Sequence, residues 1–316
     1  MSARRRRALL CCLVCCVLTR SGGSQLWAQV TTDPIAPASQ FSAPPAFVSP
    51  ADPFAGASFV PWTWQLLPDD VLYRSYIAAP GEPRLSSAWL HESDQGWLWD
   101  FTVGARVGLL RLGAPPGAAP EGWQLDLQGS ALPRLNIEQD YDLDAVDFTV
   151  GLPLTWRQGP WQTKLELRHL SSHLGDEFLL RNPGFPRLNY VRDSIVLGGG
   201  WFATPDTRLY AEADYAFNAD GGAQQWHLQF GIDYAPRPLV HWLGWTGTPF
   251  AGVNGQLREE NDFGGGVNVI AGWQLRGPLS DRLLRIGVQY YNGKSLQYSF
   301  FDEHEELLGV GLWYDY

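Results

Sequence analysis

Ten consecutive residues, Arg168-His169-Leu170-Ser171-Ser172-His173-Leu174-Gly175-Asp176-Glu177, hold two imidazoles, two hydroxyls and two carboxylates. His169 and Ser171 stand two apart, so on a β-strand they share a face. Asp193 has the matching parity at the start of the next alternating stretch, and a hairpin would bring its carboxylate beside them. A hydroxyl, an imidazole to take its proton and a carboxylate to hold the imidazole tautomer are the equipment of ester cleavage. The same residues also read as a polar rim or a hydrogen-bonded loop (Ser172, His173, Gly175, Asp176, Glu177), and that reading stands first. A third reading gives His173, Asp176 and Glu177 to a divalent cation. No second anchoring motif accompanies them, so no metal site is assigned. A bulge at the strand end would rotate the parity and turn the His-Ser pair inward.

The elements that must position these groups show a period of two. Trp97, Trp99, Phe101, Val103, Ala105 and Val107 alternate with Asp100, Thr102, Gly104, Arg106 and Gly108, and Leu109 continues the apolar set. The pattern recurs in Trp123–Ala131, Val146–Trp156 and 161–171, and then through seven further copies ending at 306–316. Many segments run 10 to 13 residues, the length a tilted strand needs to cross hydrocarbon. A strand at 85–93 would make the count even. Aromatic residues gather near segment ends, and charges and glycines crowd the alternate face. These features predict an all-β, transmembrane, antiparallel up-and-down barrel of about 12 strands, with long outer loops and short periplasmic turns. A soluble barrel with its apolar face inside alternates in the same way and remains an alternative. The expected inward residues mix both signs (Asp100, Arg106, Asp126, Asp147, Arg157, Lys164, Glu166, Arg208, Glu212, Asp214, Arg276, Arg285), which predicts an ion-paired, largely filled lumen or a small pore.

Composition agrees with this class. Of 316 residues 18% are charged and 13% aromatic, with 15 Trp, 34 Gly and 23 Pro. Long helix-forming runs are scarce, which argues against a helix bundle. The formal charge is -10, yet the first 28 residues carry five Arg and no acid. The remainder holds 18 basic against 33 acidic side chains, a net of -15, so nucleic acid is excluded as a partner. Arg4–Arg7 followed by the apolar stretch Ala8–Thr19 and small residues has the layout of a signal peptide, placed at 1–28. All four Cys (Cys11, Cys12, Cys15, Cys16) fall in it, so the exported chain has no thiol chemistry. Residues 29–60 read as a Pro/Ala-rich leader, 61–84 as a periplasmic or plug segment, and 85–316 as the barrel.

The remaining clusters carry less. Asp140, Asp142, Asp144 and Asp147 lack the glycine and terminal glutamate of a calcium loop and read as a solvated outer loop. Glu259–Asp262 and Asp302–Glu306 are acidic loops. Gly198–Gly200 and Gly264–Gly266 sit in strands with no helix pattern after them, so they read as strand bends. No motif implies a cofactor.

Three resemblances follow from these residues. The His169-x-Ser171 spacing resembles the arrangement of outer-membrane phospholipase A and of the lipid A deacylases, whose sites face the membrane. Those enzymes usually have Asn directly after the Ser, where Ser172 stands here. The string Ser171–Glu177, with Leu67–Asp70, Glu82–Arg84 and Phe300–Phe301, is similar to an uncharacterised bacterial family of membrane β-barrels over roughly residues 62–316. That resemblance implies a barrel fold and outer-membrane export, with no activity, cofactor or substrate. The last segment, Leu308 to Tyr316, resembles the C-terminal signal read by the barrel-assembly machinery, which with outer-membrane lipids is an expected partner. The leading expectation is therefore an outer-membrane barrel in a structural, small-pore or surface role rather than an enzyme. The alternatives are a lipid acyl hydrolase using Ser171, His169 and Asp193 on the outer wall, and a soluble secreted barrel that binds an apolar ligand.

Overall fold

The computed structural model describes residues 61–236, 240–242, 245–277 and 282–315. The expected signal peptide and leader, and Tyr316, lie outside the described residues. The strands are β1 (Thr63–Leu66), β2 (Leu85–Glu92), β3 (Gly96–Gly113), β4 (Gly122–Asn136) and β5 (Asp142–Gln158). They continue with β6 (Trp161–Leu174), β7 (Tyr190–Thr204), β8 (Thr207–Asp220), β9 (Trp226–Tyr234) and β10 (Val240–Trp242). The last four are β11 (Trp245–Arg258), β12 (Gly264–Arg276), β13 (Leu283–Lys294) and β14 (His304–Asp315). One short helix, α1 (Asp176–Arg181), interrupts the link from β6 to β7.

Strands β2–β9 and β11–β14 form a closed antiparallel up-and-down ring of twelve. The seam joins first to last: β2 pairs with β3 from Leu85↔Val103 to Glu92↔Gly96, and with β14 from Leu85↔Tyr314 to Glu92↔Leu307. Closure pairs the backbone groups that an open sheet would leave at its edges. The end where β2 begins and β14 finishes is called here the terminal end, and the other the cap end.

Alternation decides which side chains look out. Val103, Leu127, Leu165, Leu197 and Val310 are exposed on the outside, while Arg106, Asp126, Lys164, Glu166 and Glu212 are buried within. Aromatic pairs ring the outside near both ends: Trp123–Trp156 and Trp161–Trp201 at the terminal end, Trp89–Trp99 and Tyr215–Trp226 at the cap end. This polarity is the reverse of the one a soluble barrel holding an apolar ligand needs, since such a barrel would line its interior with the side chains that here face out.

The inward charges neutralise one another. Arg134 meets Asp100 at 2.7 Å and Glu305 at 2.5 Å; Lys164 meets Glu212 at 2.5 Å and Arg168 meets Glu166 at 2.9 Å. A charge in a low-dielectric interior is tolerated only when paired in this way.

Two of the four register shifts among the described strands re-aim polar side chains. One falls between Gly108 and Leu110 of β3. Beyond it Leu110 takes the outward place expected to continue from Leu109, and Arg111 turns inward to reach Gln124 Oε1 at 2.5 Å and Asp70 at 2.6 Å. The other lies in the β7–β8 register beside Asp193.

Residues 67–84 run inside the ring. β1 sits outside the twelve-strand ring order but on the same edge of β3 as β2, since β4 holds the opposite edge at Leu110–Gly113. Between these two wall segments the chain enters the lumen, where Leu72, Tyr73, Tyr76, Ile77 and Ala78 are buried. Wall side chains donate to its carbonyls: Arg106 to Tyr73 O (2.8 Å), Arg208 to Arg74 O and Ser75 O (2.7 Å each) and Asn268 to Ala78 O (2.7 Å). Tyr76 donates its hydroxyl to Glu212 at 2.7 Å, and its ring stacks on Tyr210.

The cap end is filled by the link 295–303. Ser299 hydrogen-bonds Ser172 at 2.7 Å, the Tyr298 amide donates to Asp147 at 3.2 Å, and Arg258 lies 4.4 Å over the Tyr298 ring. Phe300 packs with Leu174, Ala145, Phe178 and Phe185.

Candidate functional site

His169 on β6 is registered opposite Asp193 on β7, and Asp193 opposite Asn218 on β8. All three face outward on the wall. His169 Nδ1 lies 2.7 Å from Asp193 Oδ1, and Asn218 donates Nδ2–H to Asp193 Oδ2 at 2.7 Å. An imidazole that gives its Nδ1–H to a carboxylate keeps Nε2 as an acceptor, the state a general base needs.

Asn218 reaches this face through the β7–β8 bulge. Ser194 pairs with Ala216 but Asp193 pairs with Asn218, so Phe217 is the extra residue. Phe217 and Asn218 are then exposed in succession, and one inserted residue has carried an amide to the outer wall. Bulges re-aim side chains in this way. A stricter alternation would have pointed Asn218 into the lumen, and for that reason its parity did not single it out in the sequence.

Ser171 is two residues beyond His169 on the same face, opposite Phe148 on β5 and Val191 on β7. Among the described residues no hydrogen bond joins Ser171 to His169. His169, Asp193 and Ser171 thus share one outward patch; the first two are bonded and the serine stands beside them.

The signature loop divides in two. Ser172 turns inward to Ser299, and Leu174 is buried in the cap-end cluster. Gly175 donates its amide to Asp144 O at 2.9 Å, and a Cβ there would stand 1.8 Å from Leu143 O, so only glycine allows this approach. His173 faces outward beside Phe148, while Asp176 and Glu177 are exposed in the first turn of α1. Among the described residues no group of three or more His, Cys, Asp or Glu is arranged to hold a metal ion. Two carboxylates of the Asp140–Asp147 run are engaged by Arg181, which meets Asp142 at 3.1 Å and Asp144 at 2.6 Å. These two lie in β5, so the strand begins earlier than the solvated-loop reading expects.

A second polar group sits under the cap. His227 Nε2 is 2.8 Å from Glu260 Oε1, and Tyr190 donates to the same oxygen at 2.9 Å. Burial, the largest single influence, raises the Glu260 carboxyl, but the bond and charge of His227 together with further hydrogen bonds, Tyr190's among them, hold the group below the ordinary glutamate range. Glu303 is shifted the other way, by burial and by the neighbouring carboxylates Glu305 and Asp302. Tyr298 stacks on His227 with an interplanar angle of 5°. These groups lock the loops together beneath the cap.

The model of the family DUF1207, described as protein of unknown function, matches residues 25–316. The chain belongs to that family. Among curated proteins none matches this DUF1207 sequence. Solved structures similar to it include outer membrane phospholipase A from Escherichia coli, at 14% identity and a TM-score of 0.49, covering 75% of this chain and 98% of that one. The dimer of the Salmonella typhi outer membrane phospholipase with bound calcium gives 14% and 0.49, covering 76% and 93%. The KdgM porin gives 12% and 0.39, covering 73% and 99%. The DUF1207 chain is an outer-membrane-type β-barrel, and its site rests on its own geometry.

Proposed function

We propose that this protein resides in the outer membrane and cleaves acyl esters of membrane lipids with Ser171, His169 and Asp193 on its outer wall. The observation that carries this reading is the His169–Asp193 bond of 2.7 Å, presented outward beside Ser171 on an otherwise apolar face. His169 is eight residues above Trp161 on β6. At roughly 3.3 Å per residue and a tilt near 40°, that is about 20 Å, close to the upper edge of an apolar band about 25 Å tall. A lipid ester lies at such a depth.

In the reaction, the imidazole Nε2 takes the Ser171 proton as Oγ bonds to the ester carbonyl carbon. Asp193 holds the tautomer and balances the imidazolium. The tetrahedral species collapses with loss of the alcohol, which receives the proton from His169. Water then adds to the acyl-serine with His169 again as base, and the fatty acid leaves as Ser171 regains its proton. Ser171 must rotate toward Nε2 when lipid binds; contacts of this kind are often longer in the free enzyme. The signal-peptide layout of residues 1–28 and the greasy exterior support export to the outer membrane, and the alternating β14 supports recognition by the barrel-assembly machinery.

The test is release of fatty acid from phosphatidylethanolamine or lipid A by the purified chain in mixed micelles. Ser171→Ala is expected to lower the rate about 10³-fold or more. Equal release by the variant, or none by the native chain in a correctly folded state, discards the assignment.

A further inference from the structure

Row by row, the outward face of β6 carries His169, Ser171 and then His173, each two residues nearer the cap end than the last. The proposed reaction uses the first two. His173 is exposed, and among the described residues no hydrogen bond or ion pair engages it. Its ring centroid lies 6.1 Å from that of Phe148. On β5, Phe148 is the partner of Ser171, whereas His173 is paired with Val146. The contact is therefore diagonal, and it sets the imidazole beside the Ser171 row.

The chain on either side clamps His173 in place. Ser172 points inward to Ser299 at 2.7 Å, and Leu174 packs inside with Phe300. Gly175 then fixes the strand end through its bond to Asp144 O. Toward β7 the wall is open at this level, because pairing stops at Ser172↔Tyr190. The link that arrives at Tyr190 carries Arg187, which is exposed and, among the described residues, has no hydrogen bond or ion pair. The acids Asp176 and Glu177 belong to α1, which Arg181 ties to β5 on the opposite side of β6. Depth completes the arrangement. Two residues of a strand tilted near 40° rise by about 5 Å, so His173 stands about that far to the water side of Ser171. In a glycerophospholipid the phosphate is likewise on the water side of the ester carbonyls, with only glycerol carbons between.

We propose that His173 and Arg187 bind the phosphate of the lipid whose ester lies over Ser171, so that the substrates are phosphate-bearing acyl lipids and not neutral glycerides. This inference rests on the hydrolase reading and names its substrate class. The imidazole N–H and the guanidinium both donate to phosphate oxygens, the latter through paired N–H groups. The phosphate takes no part in bond making. Its contacts hold the ground state and the transition state alike, so they act on KM and not on kcat.

Fatty-acid release from phosphatidylethanolamine and from diacylglycerol, by the full chain refolded in uncharged mixed micelles, tests it. The native chain is expected to favour phosphatidylethanolamine by about tenfold or more in kcat/KM. His173→Phe keeps a ring against Phe148; combined with Arg187→Gln it should raise KM for phosphatidylethanolamine about tenfold and leave kcat within about twofold. The same double variant should hydrolyse diacylglycerol as the native chain does. His173→Gln alone, which retains an N–H donor, should stay near the native KM. Folding of each variant is checked by the gel shift of heated against unheated barrel. No release from either lipid by the folded native chain overturns the hydrolase reading and this inference together. Release from both lipids at equal kcat/KM overturns this inference alone and leaves Ser171 and His169 in their roles. A double variant that loses diacylglycerol hydrolysis in step with phosphatidylethanolamine does the same.

Discussion

The lumen and the outer wall handle polar side chains in opposite ways. Inside, Arg134, Asp100 and Glu305 are locked into a buried triad, and the carbonyls of the plug are met by Arg106, Arg208 and Asn268. Outside, His169, Asp193 and Asn218 bond one another on a face otherwise given to Leu, Val, Ile and aromatic rings. A charged group in the lumen is needed to hold the fold, because removing its partner strands a buried ion. The outward trio could be replaced by apolar residues without stranding anything. Its chemistry is therefore separable from stability, and the lumen's is not.

The largest expected effect breaks the inner half of the contrast. Arg134→Ala leaves Asp100 and Glu305 without a counter-ion and should lower unfolding free energy by about 3–5 kcal/mol. Neutralising the two acids as well (Asp100→Asn, Glu305→Gln) should restore most of it, as read by urea titration in detergent micelles. Lipid hydrolysis per folded molecule should not change. A smaller effect sharpens the outer half. Asn218→Ala frees one side of the Asp193 carboxylate and should lower kcat/KM for lipid hydrolysis about tenfold. Its urea midpoint should stay with that of the native chain; a matching loss of stability would make the trio structural.

The smallest effect concerns the cap. Glu260 is held below the ordinary glutamate range. Its contribution is therefore present above the unfolded-state value and is lost as pH falls through the lower folded one. Amide exchange of the Trp226 region should speed up across that acid interval by an amount equivalent to about 1 kcal/mol or less, and Glu260→Gln should remove the dependence. An unchanged profile in the variant would assign the acid sensitivity to other carboxylates.

Much of the wall was legible because its signal is repeated. A period of two over many segments fixes which residues face out, and it placed His169, Ser171 and Asp193 on the same outer face without coordinates. What escaped was every feature made by a single-residue change of phase. The bulge at Gly108–Leu110 sends Arg111 inward, and the one at Phe217 sends Asn218 outward. In sequence an inserted residue looks like the end of a strand. Asp142 and Asp144 look like loop because charge suggests solvent, yet Arg181 keeps them in β5. The plug has no periodicity to read, since its carbonyls are satisfied by side chains of distant strands.

The lumen segment also has two fixed ends. Leu66 is registered on Leu110 and Leu85 on Val103, along one edge of β3. These anchors are seven residues apart, or about 23 Å of strand. A cork tied at one end can be drawn out like a thread; this one can leave only as a bight, with both knots holding. Widening the passage would mean untying β1 or tearing the stitches where the first and last staves meet.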